Sequence, residues 1–398
     1  MEWTKGPVGP GAASRVTRAG LLTVLVVVPH VVAGTRLLDV LPLLETDHRV
    51  QVVFTIPDWD GTWHGTEEFV HGLGGVVLPW RQAVAERFDL VLAASHRGVD
   101  QVRGPVLVMP HGVGAMKSRT RTWRSHGLAR EALVRDGRVA AAAIVVSHDS
   151  ELAVLRESCP EAVPAAVVGG DVCLDRMVAS LPYREHYRRA LGVGSDHTLI
   201  TVSSTWTDQS VFGRFPEVYR RLLDEGNDRH RVAAVLHPNI WAVHGTRQVR
   251  AWLADCLRDG LLLIPPEEGW RATMIACDVV LGDHGSTTQY AAAIGRRIAL
   301  IPFADWLVRA DSPAARLAGQ AMVLDLDGPL LPQLAAAGGG HQALAGSITS
   351  RPGIAAAVLR LTIYRLLGSS EPEREPSVEP VPLPRPLEPP LGSGWKPM

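Results

Sequence analysis

Cys277-Asp278-Val279-Val280-Leu281-Gly282-Asp283-His284-Gly285-Ser286-Thr287-Thr288-Gln289-Tyr290-Ala291-Ala292-Ala293-Ile294-Gly295 falls into three pieces. A short apolar run leads into a polar turn holding two glycines, and an alanine-rich stretch follows that Gly295 ends. The pattern is strand, tight turn, helix. Val279–Leu281 shows no polar alternation, as expected of a strand covered on both faces, and such strands belong to parallel sheets.

The same rhythm recurs on either side. Thr198–Val202, Val232–Leu236, Leu261–Ile264 and Ile298–Ile301 read as further strands, with helices expected at Phe215–Asp224, Thr246–Leu257, Thr287–Ile294 and Ala355–Leu367. Closer to the amino end, Leu21–Val28, Val50–Ile56, Leu90–Ala94, Val106–Met109, Ala143–Val146 and Ala165–Val168 are strand-like. Helical stretches lie between them, one around the basic segment Arg119–Arg130. Strands alternating with helices imply right-handed crossovers and parallel sheets. The expected fold is α/β, with two Rossmann-like parallel-sheet domains and a central cleft. Its divisions are a flexible leader over 1–20, a first domain over 21–171, an inter-domain crossing over 172–190 and a second domain over 191–368. The segment 369–398 carries nine prolines and several glutamates, a composition that predicts a disordered tail.

A chain of 398 residues, 46% of them hydrophobic, has enough apolar surface for two cores. Its net charge of −1 supplies no field to gather nucleic acid. The four cysteines are scattered, without a CxxC pair, which argues against a disulfide framework or a zinc site and fits a reducing cytoplasm. Arg15 and Arg18 ahead of Leu21–Val28, with Val31-Val32-Ala33 behind, imitate a secretory signal; Pro29 and His30 interrupt it, and a first buried strand is the preferred reading. No apolar run reaches the length of a membrane-spanning helix.

Three strand ends carry chemistry. After Val106–Met109, Pro110 stops the ladder and presents His111, followed by Gly112, Gly114 and Lys117. An imidazole at such an edge suits removal of a proton from a hydroxyl, and Lys117 suits a phosphate; the plainer reading is a histidine capping a turn. After Val232–Leu236 comes His237-Pro238, the second candidate catalytic histidine. The third is the opening segment, where Gly285, Ser286 and Thr287 begin a helix whose unpaired N–H groups and dipole attract phosphate. There Asp283 would orient His284 or accept a ligand hydroxyl, and ordinary capping by Ser286 is the plainer alternative. Ser203-Ser204-Thr205-Trp206 ends another strand, with Thr205 suited to a phosphate contact and Trp206 to walling the cleft. Ser147-His148-Asp149 ends one more, on the acceptor side. No Walker loop, GxGxxG fingerprint or metal-ligand spacing is present, so neither a cofactor nor a metal is expected.

Taken together, Pro110-His111-Gly112 with Lys117, then His237-Pro238, then Asp283-His284-Gly285-Ser286 resemble the CDP-glycerol glycerophosphotransferases of teichoic acid synthesis, within the GT-B group. That family shows His-Gly-Thr-Pro-Leu-Lys, then His-Pro, then Asp-Tyr-Ser-Ser, in the same order and with similar spacing. Gly169-Gly170-Asp171 with Leu174-Asp175-Arg176 is similar to the domain-crossing segment of this group and of the UDP-GlcNAc 2-epimerases. The resemblance implies a transferase in which His111 is the general base, His237 contacts the donor diphosphate, and Ser286 and Thr287 hold a phosphate. It implies a nucleotide-activated donor, a CDP-alditol or an NDP-sugar, and a polymer or lipid-linked acceptor reached from the cytoplasmic face, with peripheral membrane association. Val113-Gly114 and His284-Gly285 depart from the family pattern. The alternatives are therefore a UDP- or GDP-sugar glycosyltransferase or epimerase-like enzyme, and a non-catalytic nucleotide-binding protein.

Overall fold

The computed structural model describes residues 3–58, 61–114, 127–376 and 378–388. Its backbone forms two compact units, each around its own parallel sheet. One comprises Met1–Arg176, Trp306–Pro313 and Ala345–Glu379; the other comprises Met177–Asp305, Ala314–Leu344 and Pro380–Met398.

The first unit's strands are β1 (Leu22–Val27), β2 (Val50–Thr55), β3 (Val76–Leu78), β4 (Leu90–Ala93) and β5 (Val106–Val108). A small antiparallel hairpin, β6 (Val134–Arg135) and β7 (Arg138–Val139), precedes β8 (Ala143–Val146) and β9 (Ala166–Val168). Seven of them pair in the order β3-β2-β1-β4-β5-β8-β9, all parallel. Side chains alternate across the sheet. Val24, Val26 and Val28 enter one apolar cluster with Leu90, Leu92 and Leu107, while Leu25 and Val27 enter another with Val91, Ala93 and Val108. Both faces are thus covered, which is why these strands are apolar without interruption. The signal-like run is therefore an inner strand of the sheet, and Val31-Val32-Ala33 opens the helix Val31–Leu37.

The second unit repeats the plan with β10 (Thr198–Ser204), β11 (His230–Leu236), β12 (Leu262–Ile264), β13 (Val279–Gly282), β14 (Arg297–Leu300) and β15 (Met322–Val323). Their order is β12-β11-β10-β13-β14-β15, again parallel throughout.

Three expectations of domain layout need correction. The helix Ala355–Leu367 belongs to the first unit, not the second. Its stripe of Ala355, Leu359, Ile363 and Leu367, four residues apart, packs into the cluster of Val24 and Val26. Asp175 holds its start, accepting N–H bonds from Gly353 (2.7 Å) and Ala355 (3.0 Å), and Gly170, at φ +77°, lies so close to Arg351 and Ala355 that a Cβ would collide. The leader is packed as well: Gln82 exchanges amide hydrogen bonds with the Thr4 backbone, and Val8 is buried among the apolar residues of the sheet. Finally, the proline-rich segment makes ordered contacts through residue 388. Prolines at 380, 382, 384 and 386 favour extended backbone and leave N–H groups only at the residues between. Val381 is buried; its N–H donates to Ser180 Oγ (3.0 Å) and its carbonyl accepts from Tyr187 Oη (2.9 Å). The Leu387 N–H donates to the Leu263 carbonyl (2.8 Å), forming an antiparallel bridge beside edge strand β12.

Candidate functional site

In each sheet the chain order reverses beside the unit's first strand, between β1 and β4 and between β10 and β13. Open parallel sheets bind their ligands at the carboxyl edge of such a point. Among the described residues, those singled out by sequence lie at these two edges.

In the first unit, β5 delivers His111 to the edge, where it is exposed. Its Nδ1 lies 2.9 Å from the carbonyl of Ala94, just past the end of β4. A carbonyl only accepts, so Nδ1 carries the proton, and the acceptor nitrogen of the neutral ring is Nε2. His30, just past the end of β1, stands edge-on to this ring, with centroids 5.4 Å apart and planes at 82°. It caps the helix Val31–Leu37, its Nδ1 accepting the N–H of Ala33 (3.1 Å). Sequence reading treated His30 only as an interruption of an apolar run, although a histidine just past a buried strand is the signal that marked His111 and His237. Lys117 lies outside the described residues. His148 turns back on its own chain, its Nδ1 2.8 Å from Ser150 Oγ, while buried Glu151 accepts the N–H groups of Ser147 and His148.

In the second unit the edge is organised by Asp283, which is fully buried. Its Oδ2 accepts the Thr205 N–H (2.8 Å), the Thr205 hydroxyl (2.7 Å) and the Val211 N–H (3.3 Å), and its Oδ1 accepts the Gly285 N–H (2.9 Å). One carboxylate ties together the ends of β10 and β13 and the start of the helix Val211–Arg214. Asp283 and Thr205 were expected at a ligand; the structure commits the carboxylate oxygens and the threonine proton to each other. His284 is buried, its ring 5.3 Å from that of Phe303, and its carbonyl accepts from Gln289.

The helix after this turn runs over Ser286–Ala293. Its N-cap is Gly285, with no side-chain cap, so the plainer reading of capping by Ser286 does not hold. Ser286 and Thr287 are half-buried in its first turn, where backbone N–H groups point along the axis. Close packing fixes the position of this turn: a Cβ on Gly282 would lie 2.3 Å from Thr288 Oγ1, and one on Gly285 3.0 Å from Thr205 Cγ2. The first turn thus offers an anion its amide donors and the positive end of the dipole.

His237 also caps a helix. Its Nδ1 accepts the Asn239 N–H (3.1 Å) at the start of Pro238–Trp252, and its own N–H donates to the Ser204 carbonyl (3.0 Å). The neutral ring consequently carries its proton on Nε2, which makes it a donor rather than a base. Trp206 lies beside it at 6.3 Å between centroids.

Cysteine chemistry is absent from both edges. All four thiols are buried and unbridged, and burial pushes that of Cys277 up to about 12, which keeps it protonated. Among the described residues no three His, Cys, Asp or Glu side chains group as metal ligands, and no helix is long and apolar enough to cross a membrane.

Solved structures share this fold across most of the chain. The wall teichoic acid polymerase TagF superposes with a TM-score of 0.57 at 12% identity, covering 87% of this chain and 89% of that one. The Staphylococcus aureus protein MnaA, solved with UDP, gives 0.53 at 13% identity, covering 90% and 100%. A Listeria monocytogenes protein assigned to the UDP-N-acetylglucosamine 2-epimerases gives 0.50 at 14%, covering 89% and 99%. No family profile and no curated protein sequence matches the chain. The fold is of the GT-B type.

Proposed function

We propose that the protein is a transferase that moves glycerol phosphate, or a related alditol phosphate, from a CDP-activated donor to an acceptor hydroxyl. The observation that carries this reading is the tautomer of His111. With Nδ1–H bonded to the Ala94 carbonyl, Nε2 takes the proton as the acceptor oxygen attacks the β-phosphorus. The bond from that phosphorus to the oxygen bridging the two phosphates breaks, and CMP leaves with the electron pair. Phosphoryl transfer depends on positioning and charge neutralisation more than on covalent help. The Ser286–Thr287 turn and the Nε2–H of His237 suit the donor phosphates, and Lys117 is assigned to the same task. TagF has been solved after soaking with CDPG, which favours this donor class. The acceptor is assigned as polymeric or lipid-linked, met at the cytoplasmic face by peripheral association.

A second reading, a glycosyltransferase or epimerase acting on a UDP- or GDP-sugar, is favoured by the likeness to MnaA with UDP. Against it, the buried carboxylate at the second edge, Asp283, is committed to four protein donors.

The test is incubation with CDP-glycerol, CDP-ribitol and UDP- and GDP-sugars, with a lipid-carrier acceptor fraction, and mass-spectrometric detection of the released nucleotide. CMP is the expected product. UDP or GDP would move the function to glycosyl transfer, and binding without any product would leave a non-catalytic nucleotide-binding protein. In the active case His111→Ala lowers turnover about 10²- to 10⁴-fold while donor binding persists; full turnover by that variant overturns the assigned base.

A further inference from the structure

We propose that His30 is a positioning residue for His111, beyond its evident work as a helix cap. The inference rests on reading His111 as the base.

His111 sits on an exposed turn beside Gly112 and Gly114, and Gly114 adopts a left-handed φ of +49°. Its Nδ1 bond to Ala94 fixes one point of the ring, and a ring packed against it bears on the tilt of its plane. The imidazole of His30 lies against it, nearly perpendicular at 5.4 Å. Three features of the fold hold His30 in place: Pro29 ends the ladder of inner strand β1, the Val28 N–H still donates to Thr55, and the Ala33 N–H is capped by Nδ1. The helix behind it is anchored in turn. Gly34 abuts Phe69 so closely that a Cβ would lie 2.3 Å from the ring, and Arg36 pairs with buried Asp171 at 3.2 Å.

The cap has an electrostatic consequence. Because Nδ1 of His30 accepts an N–H, adding a proton there would set donor against donor and break the cap. The neutral His30 ring thus carries its proton on Nε2, beside a base that becomes an imidazolium when it takes the acceptor's proton. Two cationic rings at this distance would oppose each other; one neutral and one chargeable ring do not. The two histidines hold opposite tautomers, His111 through the Ala94 carbonyl past β4 and His30 through the Ala33 N–H of its helix, and the edge-on contact between the rings is more than a cap requires.

Two substitutions separate capping from positioning. Asparagine is a strong N-cap residue and keeps an acceptor for the Ala33 N–H, but it removes the ring. His30→Asn is expected to retain the melting temperature of the parent and its KM for the donor, and to lose about 10- to 100-fold in kcat, the range that a small misplacement of a reacting group produces. His30→Ala is expected to lose both stability and kcat. If His30→Asn restores full kcat, His30 is only a cap and the proposal fails. A second readout is independent of turnover: ¹⁵N-resolved imidazole spectra of the full chain. They are expected to show His111 in the Nδ1–H tautomer in the parent and, in His30→Asn, displaced His111 ring signals as the ring plane is released. An unchanged His111 signal overturns positioning even if the donor class has been misread, whereas a moved signal with no product from any donor sinks the transferase and leaves the pairing intact.

Discussion

At the scale of single residues, the second edge depends on one buried carboxylate. Asp283 accepts four hydrogen bonds, three of them from backbone N–H groups in separate segments. Each buried donor left without an acceptor costs about 1–3 kcal/mol. Asp283→Ala is therefore expected to lower unfolding free energy by about 3 kcal/mol or more, read from urea denaturation. Loss of less than about 1 kcal/mol would show that the Thr205 and Gly285 donors find water instead. The sequence marked Asp283 for a ligand or for His284, and the structure shows its oxygens accepting from Thr205, Val211 and Gly285. A carboxylate two residues before a helix can face either a ligand or the protein's own N–H groups. Only the adjacency of β10 and β13, separated by about eighty residues in the chain, decides between them. The same limit applies to His30, whose value comes from a neighbour that adjacency of β1, β4 and β5 provides.

Among elements, the strand–turn–helix unit of β13 and Ser286–Ala293 is held by a contact without slack. Gly282→Ala would drive a Cβ into Thr288 Oγ1 and Cγ2, at 2.3 and 2.8 Å. Overpacking of this kind costs about 1–3 kcal/mol and shifts the turn that carries Ser286 and Thr287. Thr288→Ala relieves the collision, so the double variant should regain much of the loss. Calorimetric melting of the four members of this cycle checks the coupling, and strict additivity would refute it. The elements themselves were the most legible part of the chain. Uninterrupted apolar runs such as Val24–Val28 identify doubly covered strands, and the alternation with helices gives parallel sheets, because both follow from local burial. The destination of the helix Ala355–Leu367 was not legible. Its apolar stripe says that it packs on a sheet, and nothing in the stripe says which. The tail misled for a related reason: its composition lacks the apolar surface to fold alone, but Val381 and Leu387 need only settle on a core already built.

For the molecule as a whole, acid stability turns on the anchor of that returning helix. Asp47 accepts bonds from Arg49 and from Tyr364 Oη at 2.7 Å, the latter within the helix. The Arg49 guanidinium holds the Asp47 carboxyl well below the usual carboxylate range, and burial followed by the Asp47 bond pushes the Tyr364 phenol up. On acidification the unfolded chain binds the Asp47 proton first, so the stability from this group is complete near neutrality. It is lost as pH falls below about 4 toward the folded value. Asp47→Asn should remove a contribution on the order of 2 kcal/mol at pH 7 and flatten the loss between pH 5 and 2. Equilibrium unfolding at several pH values checks this, and parallel curves for parent and variant would refute it. The threading of the chain has a consequence of another kind, in the order of synthesis. The first unit's opening 176 residues leave the ribosome long before Ala345–Glu379, and nearly all of the second unit is made in between. Until then the sheet face formed by Val24, Val26, Leu90 and Leu92 lacks the helix that covers it. The nascent first unit thus waits with that apolar face open to wrong partners, and a stop codon anywhere before residue 355 yields no whole unit of that kind.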